Sequence, residues 1–106
     1  MGNTFKISLP TANTAVTIEV TADSPSNQYL MANHDAANKP VYVRVGNANV
    51  TATLPASGTP GNTLLVPVNC KVVFTGPQTS TTKTVYVSAI AEHNNAEVYV
   101  TPGEGL

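Results

Sequence analysis

The sequence predicts an all-β protein: an antiparallel two-sheet β-sandwich, jelly-roll or immunoglobulin-like in topology, with eight or nine short strands and almost no helix. Three observations predict it. No window sustains a helical apolar period. Short runs instead alternate apolar with polar residues, at roughly the 8–12-residue spacing of sandwiches and barrels. The composition agrees: of 106 residues, 15 are Thr and 14 are Val, which suit strands, and 11 are Asn, which suit turns.

Taken in order, Phe5-Lys6-Ile7-Ser8-Leu9 places Phe5, Ile7 and Leu9 on one face and stops at Pro10. Residues 15–22 turn Val16, Ile18 and Val20 inward and Thr17, Glu19 and Thr21 outward. Asp23 to Asn27 is a turn cluster. Gln28 to Ala32 is a short strand without clean alternation, as expected of one covered on both faces. His34 to Pro40 reads as a polar loop. Val41, Val43 and Val45 form the inner face of the clearest strand, with Pro40 at its start, where no ladder donor is needed. Val50 to Leu54 is a weak strand, and Pro55 to Asn62 an exposed loop. Leu64 to Pro67 and Cys70 to Thr75 are strands, and Gly76 to Thr82 a Thr/Ser-rich loop. Finally, Val85–Ile90 and Ala96–Thr101 flank His93-Asn94-Asn95 and predict a β-hairpin, halted by Pro102-Gly103. The expected inward set includes Val16, Ile18, Val20, Val43, Val45, Val72, Phe74, Val87, Val98 and Val100, with Phe74 its most critical member.

The length predicts one domain, residues 1–106, with short extended ends. Only 10% of residues are charged and the net charge is −1, without runs of one sign. That argues against nucleic-acid and anionic-membrane partners, which call for a basic patch. Uncharged polar surface costs less to desolvate than Lys or Glu, so such a chain suits contact with other protein. The first residues do not read as a secretory signal, and no stretch reaches the roughly 20 apolar residues of a membrane-spanning helix. A single cysteine, Cys70, allows no internal disulfide and fits synthesis in a reducing cytoplasm. In that setting the Asn49-Val50-Thr51 glycosylation sequon is a chance match.

Catalytic chemistry finds little support. His34-Asp35 and Glu92-His93 are the places where histidine adjoins a carboxylate, and both fall in predicted turns. No zinc-ligand spacing exists, no serine sits in GxSxG, and Cys70 opens a strand as a small hydrophobe would. Paired carboxylates could serve a glycosidase. Of the six acids (Glu19, Asp23, Asp35, Glu92, Glu97 and Glu104), Glu19 and Glu97 lie on outward faces, where solubility explains them. The expectation is a non-enzymatic protein without metal or cofactor. Tyr42, Tyr86 and Tyr99 alternate with valine stripes and therefore face outward. Subunit contact, cross-strand packing and ligand stacking all use such tyrosines, and contact with another protein is the reading preferred here.

Several segments together resemble a known family: PVYVRVG at 40–46, the Thr/Ala/Pro/Gly loop at 51–62, LLVP at 64–67, VVF at 72–74, YVSAIAE at 86–92 and VYVTPGEG at 98–105. Over residues 28–106 the chain is similar to small virion proteins of tailed bacteriophages, the capsid decoration or cement proteins. The resemblance implies a virion protein on the capsid surface, made in the host cytoplasm, that stabilises the head by bridging neighbouring major capsid subunits. It implies no active-site residues. Homo-oligomerisation as a dimer or trimer would add avidity. The contacts are expected from Met1, Gly2, Asn3, Thr4 and Phe5, from Tyr42, Tyr86 and Tyr99, and from Pro102, Gly103, Glu104, Gly105 and Leu106. A phage tail, spike or fibre-attachment sandwich would share the composition, and a carbohydrate-binding module would share the sandwich.

Overall fold

The computed structural model describes residues 4–22, 25–33, 40–47, 49–55, 57–59, 61–67, 70–80 and 82–103. Among these residues eight strands form: β1 (Phe5–Leu9), β2 (Val16–Val20), β3 (Ser26–Asn33), β4 (Val41–Gly46), β5 (Leu64–Val66), β6 (Cys70–Thr79), β7 (Val85–Ile90) and β8 (Ala96–Gly103). The described residues contain no helix. The pairings are nested and antiparallel: β1 with β8, β2 with β7, β3 with β6 and β4 with β5. One long hairpin rolled up in this way is a jelly roll. Two further pairings, β3 with β8 and β4 with β7, close the two sheets. Sheet 1 has the order β1-β8-β3-β6 and sheet 2 the order β2-β7-β4-β5.

The core lies between the sheets. Val20, Val43, Val87, Val98 and Val100 are buried as their alternation predicts, beside Ile7, Leu9, Met31, Val41, Val66 and Val85. Val16, Ile18, Val45, Val72 and Phe74 pack against this cluster but are only partly buried. Phe74 is thus not the centre of the core. It sits on β6, an edge strand, which has neighbours on one side only. The largest fully buried side chain is Tyr29 on β3, an inner strand. There the expected two-sided burial gives way to alternation: Tyr29, Met31 and Asn33 are buried, while Leu30 and Ala32 are half-exposed on the outer face.

A buried phenol needs an acceptor. Ser26 pairs with Thr79 and Gln28 with Thr75, so Gly76, Pro77 and Gln78 bulge opposite Asn27. The bulge presents the Pro77 carbonyl to the Tyr29 hydroxyl, which donates to it. Gly76 permits this approach, since a Cβ there would stand 3.1 Å from the Tyr29 ring and 3.3 Å from Val45. Burial pushes the Tyr29 phenol up to about 12. The segment after Phe74 is therefore not all loop: Gly76–Thr79 belong to β6.

The expected β7–β8 hairpin does not form. β7 pairs with β2 and β4, whereas β8 pairs with β1 and β3, so the connection between them crosses from one sheet to the other. The β1–β2 connection makes the same crossing beside it. The two are tied by Asn13 N–H to Ala91 O (2.8 Å), Asn95 N–H to Pro10 O (3.3 Å) and Ala12 N–H to Asn94 Oδ1 (2.8 Å). Each holds one left-handed asparagine, Asn13 at φ 59° and Asn95 at φ 61°, a conformation that asparagine tolerates. At another crossing, Thr79 Oγ1 lies 2.9 Å from Val20 O and 2.7 Å from Lys83 O. Nor does Pro102-Gly103 end the sheet. β8 continues through Gly103, opposite Gln28, beyond the last β1 pair (Phe5 with Val100), where proline is tolerated because the strand is paired on one side.

Residues 50–54 are not a strand. They cross the outer face of sheet 2. Thr17 Oγ1 donates to Val50 O (2.9 Å), and Ala52 N–H donates to Ser88 Oγ (2.8 Å), which leaves Ala52 and Ser88 buried. The following loop is pinned on itself: Thr53 N–H donates to Asn62 Oδ1 (2.9 Å) and Asn62 Nδ2 to Thr51 O (3.1 Å). Gly61 is required there, because a Cβ would meet Thr53 O at 2.7 Å and Pro55 N at 2.9 Å.

Candidate partner-binding surfaces

The two outer faces differ. Sheet 2 is roofed by its own loop, whereas none of the described segments crosses sheet 1. The register places four outward rows on sheet 1, the shortest of them Ser8 opposite Glu97. One runs Thr4, Thr101, Leu30, Val73. The next runs Lys6, Tyr99, Ala32, Lys71. A third holds Gly103, Gln28 and Thr75. Charge is sparse: Lys6 stands on edge strand β1, and Glu97 beside it on inner strand β8. Lys6 Nζ is 3.0 Å from Glu97 Oε2 and 5.9 Å from the Tyr99 ring centroid. The hydrogen bond that Lys6 donates to Glu97, followed by the negative charge of that carboxylate, holds the Lys6 ammonium above its ordinary range. Lys71 stands on the opposite edge strand. Between them Leu30, Ala32, Tyr99 and Thr101 form a nearly neutral strip.

The residues expected at a partner contact divide. Thr4 and Tyr99 share the outer face of sheet 1. Thr4 Oγ1 lies 2.9 Å from Thr101 Oγ1, so the two strands nearest the sequence ends meet at one end of that sheet. Phe5 and Pro102 face inward: Phe5 packs on the core and Pro102 is buried, as is Gly103. Tyr42 and Tyr86 lie on the outer face of sheet 2, across the molecule from Tyr99. The Tyr42 hydroxyl donates to Glu92 Oε1 (3.3 Å), and partial burial, followed by the Glu92 charge, raises its phenol above the ordinary value. Met1, Gly2, Asn3, Glu104, Gly105 and Leu106 lie outside the described residues, as do Asp23, His34, Asp35 and the Cys70 side chain.

A second surface is the rim where edge strands β5 and β6 lie side by side. Among the described residues, the exposed large apolar side chains are Leu64 (58%), Leu65 (48%) and Val73 (42%), all on this rim. β5 pairs with β4 only from Val41 to Val43, and Arg44–Gly46 run on beyond it. The sheets gape there in a cleft of about 320 Å³ floored by Val43, Val45, Leu64 and Phe74, with Arg44, Asn62 and Thr75 at its lip.

The Ser88 hydroxyl is engaged by Thr17 Oγ1 at 3.0 Å and by the Ala52 amide. Among the described residues no three His, Cys, Asp or Glu side chains converge in a way that could hold a metal. No described helix is long and apolar enough to cross a membrane. Sequence reasoning missed Leu30, Val73 and Thr101 on sheet 1, and Arg44, Leu64 and Leu65 on the rim. The register that groups them depends on pairing partners distant in the chain. Compared with protein-family models, curated proteins and solved structures, the chain matches none.

Proposed function

We propose that this protein is a non-enzymatic virion component of a tailed bacteriophage, a decoration or cement protein that lies on the head and bridges neighbouring major capsid subunits. The observation that carries the reading is the nearly uncharged outer face of sheet 1, which none of the described segments crosses, set against the face of sheet 2, which its own loop roofs. A surface with Leu30, Tyr99 and Thr101 at its centre and the lysines Lys6 and Lys71 on its two edge strands has the anatomy of a protein contact. The sequence resemblance supplies the phage and the capsid; a jelly roll alone assigns no function.

Such a protein acts by linkage. Binding to the assembled shell and not to separated subunits adds its binding free energy to the assembled state alone. Many copies on a repeating lattice make weak single contacts sufficient. A nearly neutral contact resists salt, which screens exposed ion pairs over a Debye length of about 8–10 Å. The test is add-back: purified protein is mixed with heads that lack it, and the heads are heated in low and high salt. The reading expects saturable binding and later DNA release in both. Unchanged release, or binding to tails alone, would move the protein to the tail or spike, and glycan binding without head binding would make it a carbohydrate-binding module.

A further inference from the structure

We propose that the β4–β6 rim accepts an added strand from a protein partner, one whose apolar side chain fills the cleft and whose next residue is an acid that meets Arg44. The inference stands on the rim alone and does not depend on which assembly the protein joins.

Three observations converge. First, β4 outruns β5: Arg44–Gly46 pair with β7 on one side and, among the described residues, with no strand on the other. Unpaired sheet edges are templates for strand addition, and proteins usually blunt them with charge, proline or a bulge. The opposite edge strands of this sandwich carry Lys6 and Glu19, and β6 is blunted beyond Thr75 by its bulge and Pro77. The stretch between is left open. Second, the inward side of that stretch is the apolar cleft, with Val45 and Phe74 both only partly covered. Third, Arg44 is half-buried at the lip, and among the described residues it has no ion-pair or hydrogen-bond partner.

Register then specifies the occupant. A strand antiparallel to β4 meets Gly46 first, Val45 second and Arg44 third. Side chains directly opposite share a face. The residue opposite Val45 therefore enters the cleft and must be apolar, and the one opposite Arg44 faces outward and is favoured as an acid. The residue opposite Gly46 has no side chain to oppose it. The next place along is already filled by Leu64, opposite Val43, so the added strand ends where β5 begins.

The test uses isotope-labelled full-length protein and three capped pentapeptides: Thr-Thr-Thr-Leu-Glu, Thr-Thr-Thr-Leu-Lys and Thr-Thr-Thr-Glu-Leu. Amide shifts are followed by NMR. The Leu-Glu peptide is expected to shift the amides of Arg44–Gly46 and Phe74–Gly76 saturably, and the Leu-Lys peptide to bind about fivefold more weakly, the scale of a cross-strand charge pair. The Glu-Leu peptide should bind more weakly than the Leu-Glu peptide: in the same register it turns Glu into the cleft, and sliding by one to restore Leu opposite Val45 leaves no residue opposite Arg44. Arg44→Glu, a change at the lip rather than the core, should reverse the preference between Leu-Glu and Leu-Lys. Equal binding of all three peptides would overturn the proposal. So would shifts elsewhere, or no saturable shift up to about 5 mM, where contacts this small should register. If the same amides broaden with protein concentration alone, the rim belongs to a second copy of the chain and the proposal falls.

Discussion

Removing one oxygen from Tyr29 tests how the core is closed. In Tyr29→Phe the ring still fills its place against Gly76, but the Pro77 carbonyl in the bulge loses its donor. An intramolecular hydrogen bond contributes about 1 kcal/mol net, and stranding a buried partner raises the cost to roughly 1–3 kcal/mol. For a domain of this size each kcal/mol lowers Tm by about 4–8 °C. The variant should therefore melt at least several degrees below the parent at neutral pH. The pH dependence sharpens the test. The folded pKa, about 12, lies above the ordinary 10, so the unfolded chain loses this proton first. The stabilisation is fully present below pH 10 and is lost as pH rises from 10 toward 12, at about 1.4 kcal/mol per pH unit from this group. Urea unfolding of parent and variant across that range should show the stability gap closing as pH rises. Equal stability at neutral pH, or a gap that stays constant through pH 12, would refute the buried, carbonyl-bound phenol.

Gly61→Ala should cost about 1–3 kcal/mol, as backbone clashes in tight sites do, and should lift the loop from sheet 2; faster amide exchange at Ala52 would report it. Asn95→Val should cost about 1–2 kcal/mol at the left-handed corner position, while Asn95→Gly should cost little; equal melting of the two would discount the corner. Phe74→Ala should destabilise less than Tyr29→Ala, for which a fully buried aromatic sets about 3–5 kcal/mol; the reverse order in urea unfolding would restore Phe74 to the centre.

Local features of this fold were legible because they have local causes. Alternation placed Ile7, Leu9, Val20, Val43, Val87 and Val98 inward, and the structure buries them. The β7–β8 hairpin failed for a reason that no local pattern contains. A polar turn between two alternating strands serves a hairpin and a sheet-to-sheet crossing equally well. The choice falls to contacts from Pro10, Ala12 and Asn13, some eighty residues away in sequence. Phe74 was misjudged for a related reason, since periodicity identifies the face a residue takes but not whether its strand lies at an edge. The surfaces were least legible. Tyr42, Tyr86 and Tyr99 share the same outward pattern, yet topology places the first two on one side of the sandwich and the third on the other.

In the proposed function, the outer face of sheet 1 meets the capsid. Electron cryomicroscopy of heads decorated with the purified protein tests it directly. Density for the sandwich is expected across a seam between capsid subunits, with Leu30, Tyr99 and Thr101 against the shell and the roofed face of sheet 2 turned to solvent. Attachment through sheet 2, or undecorated heads beside decorated tails, would contradict it.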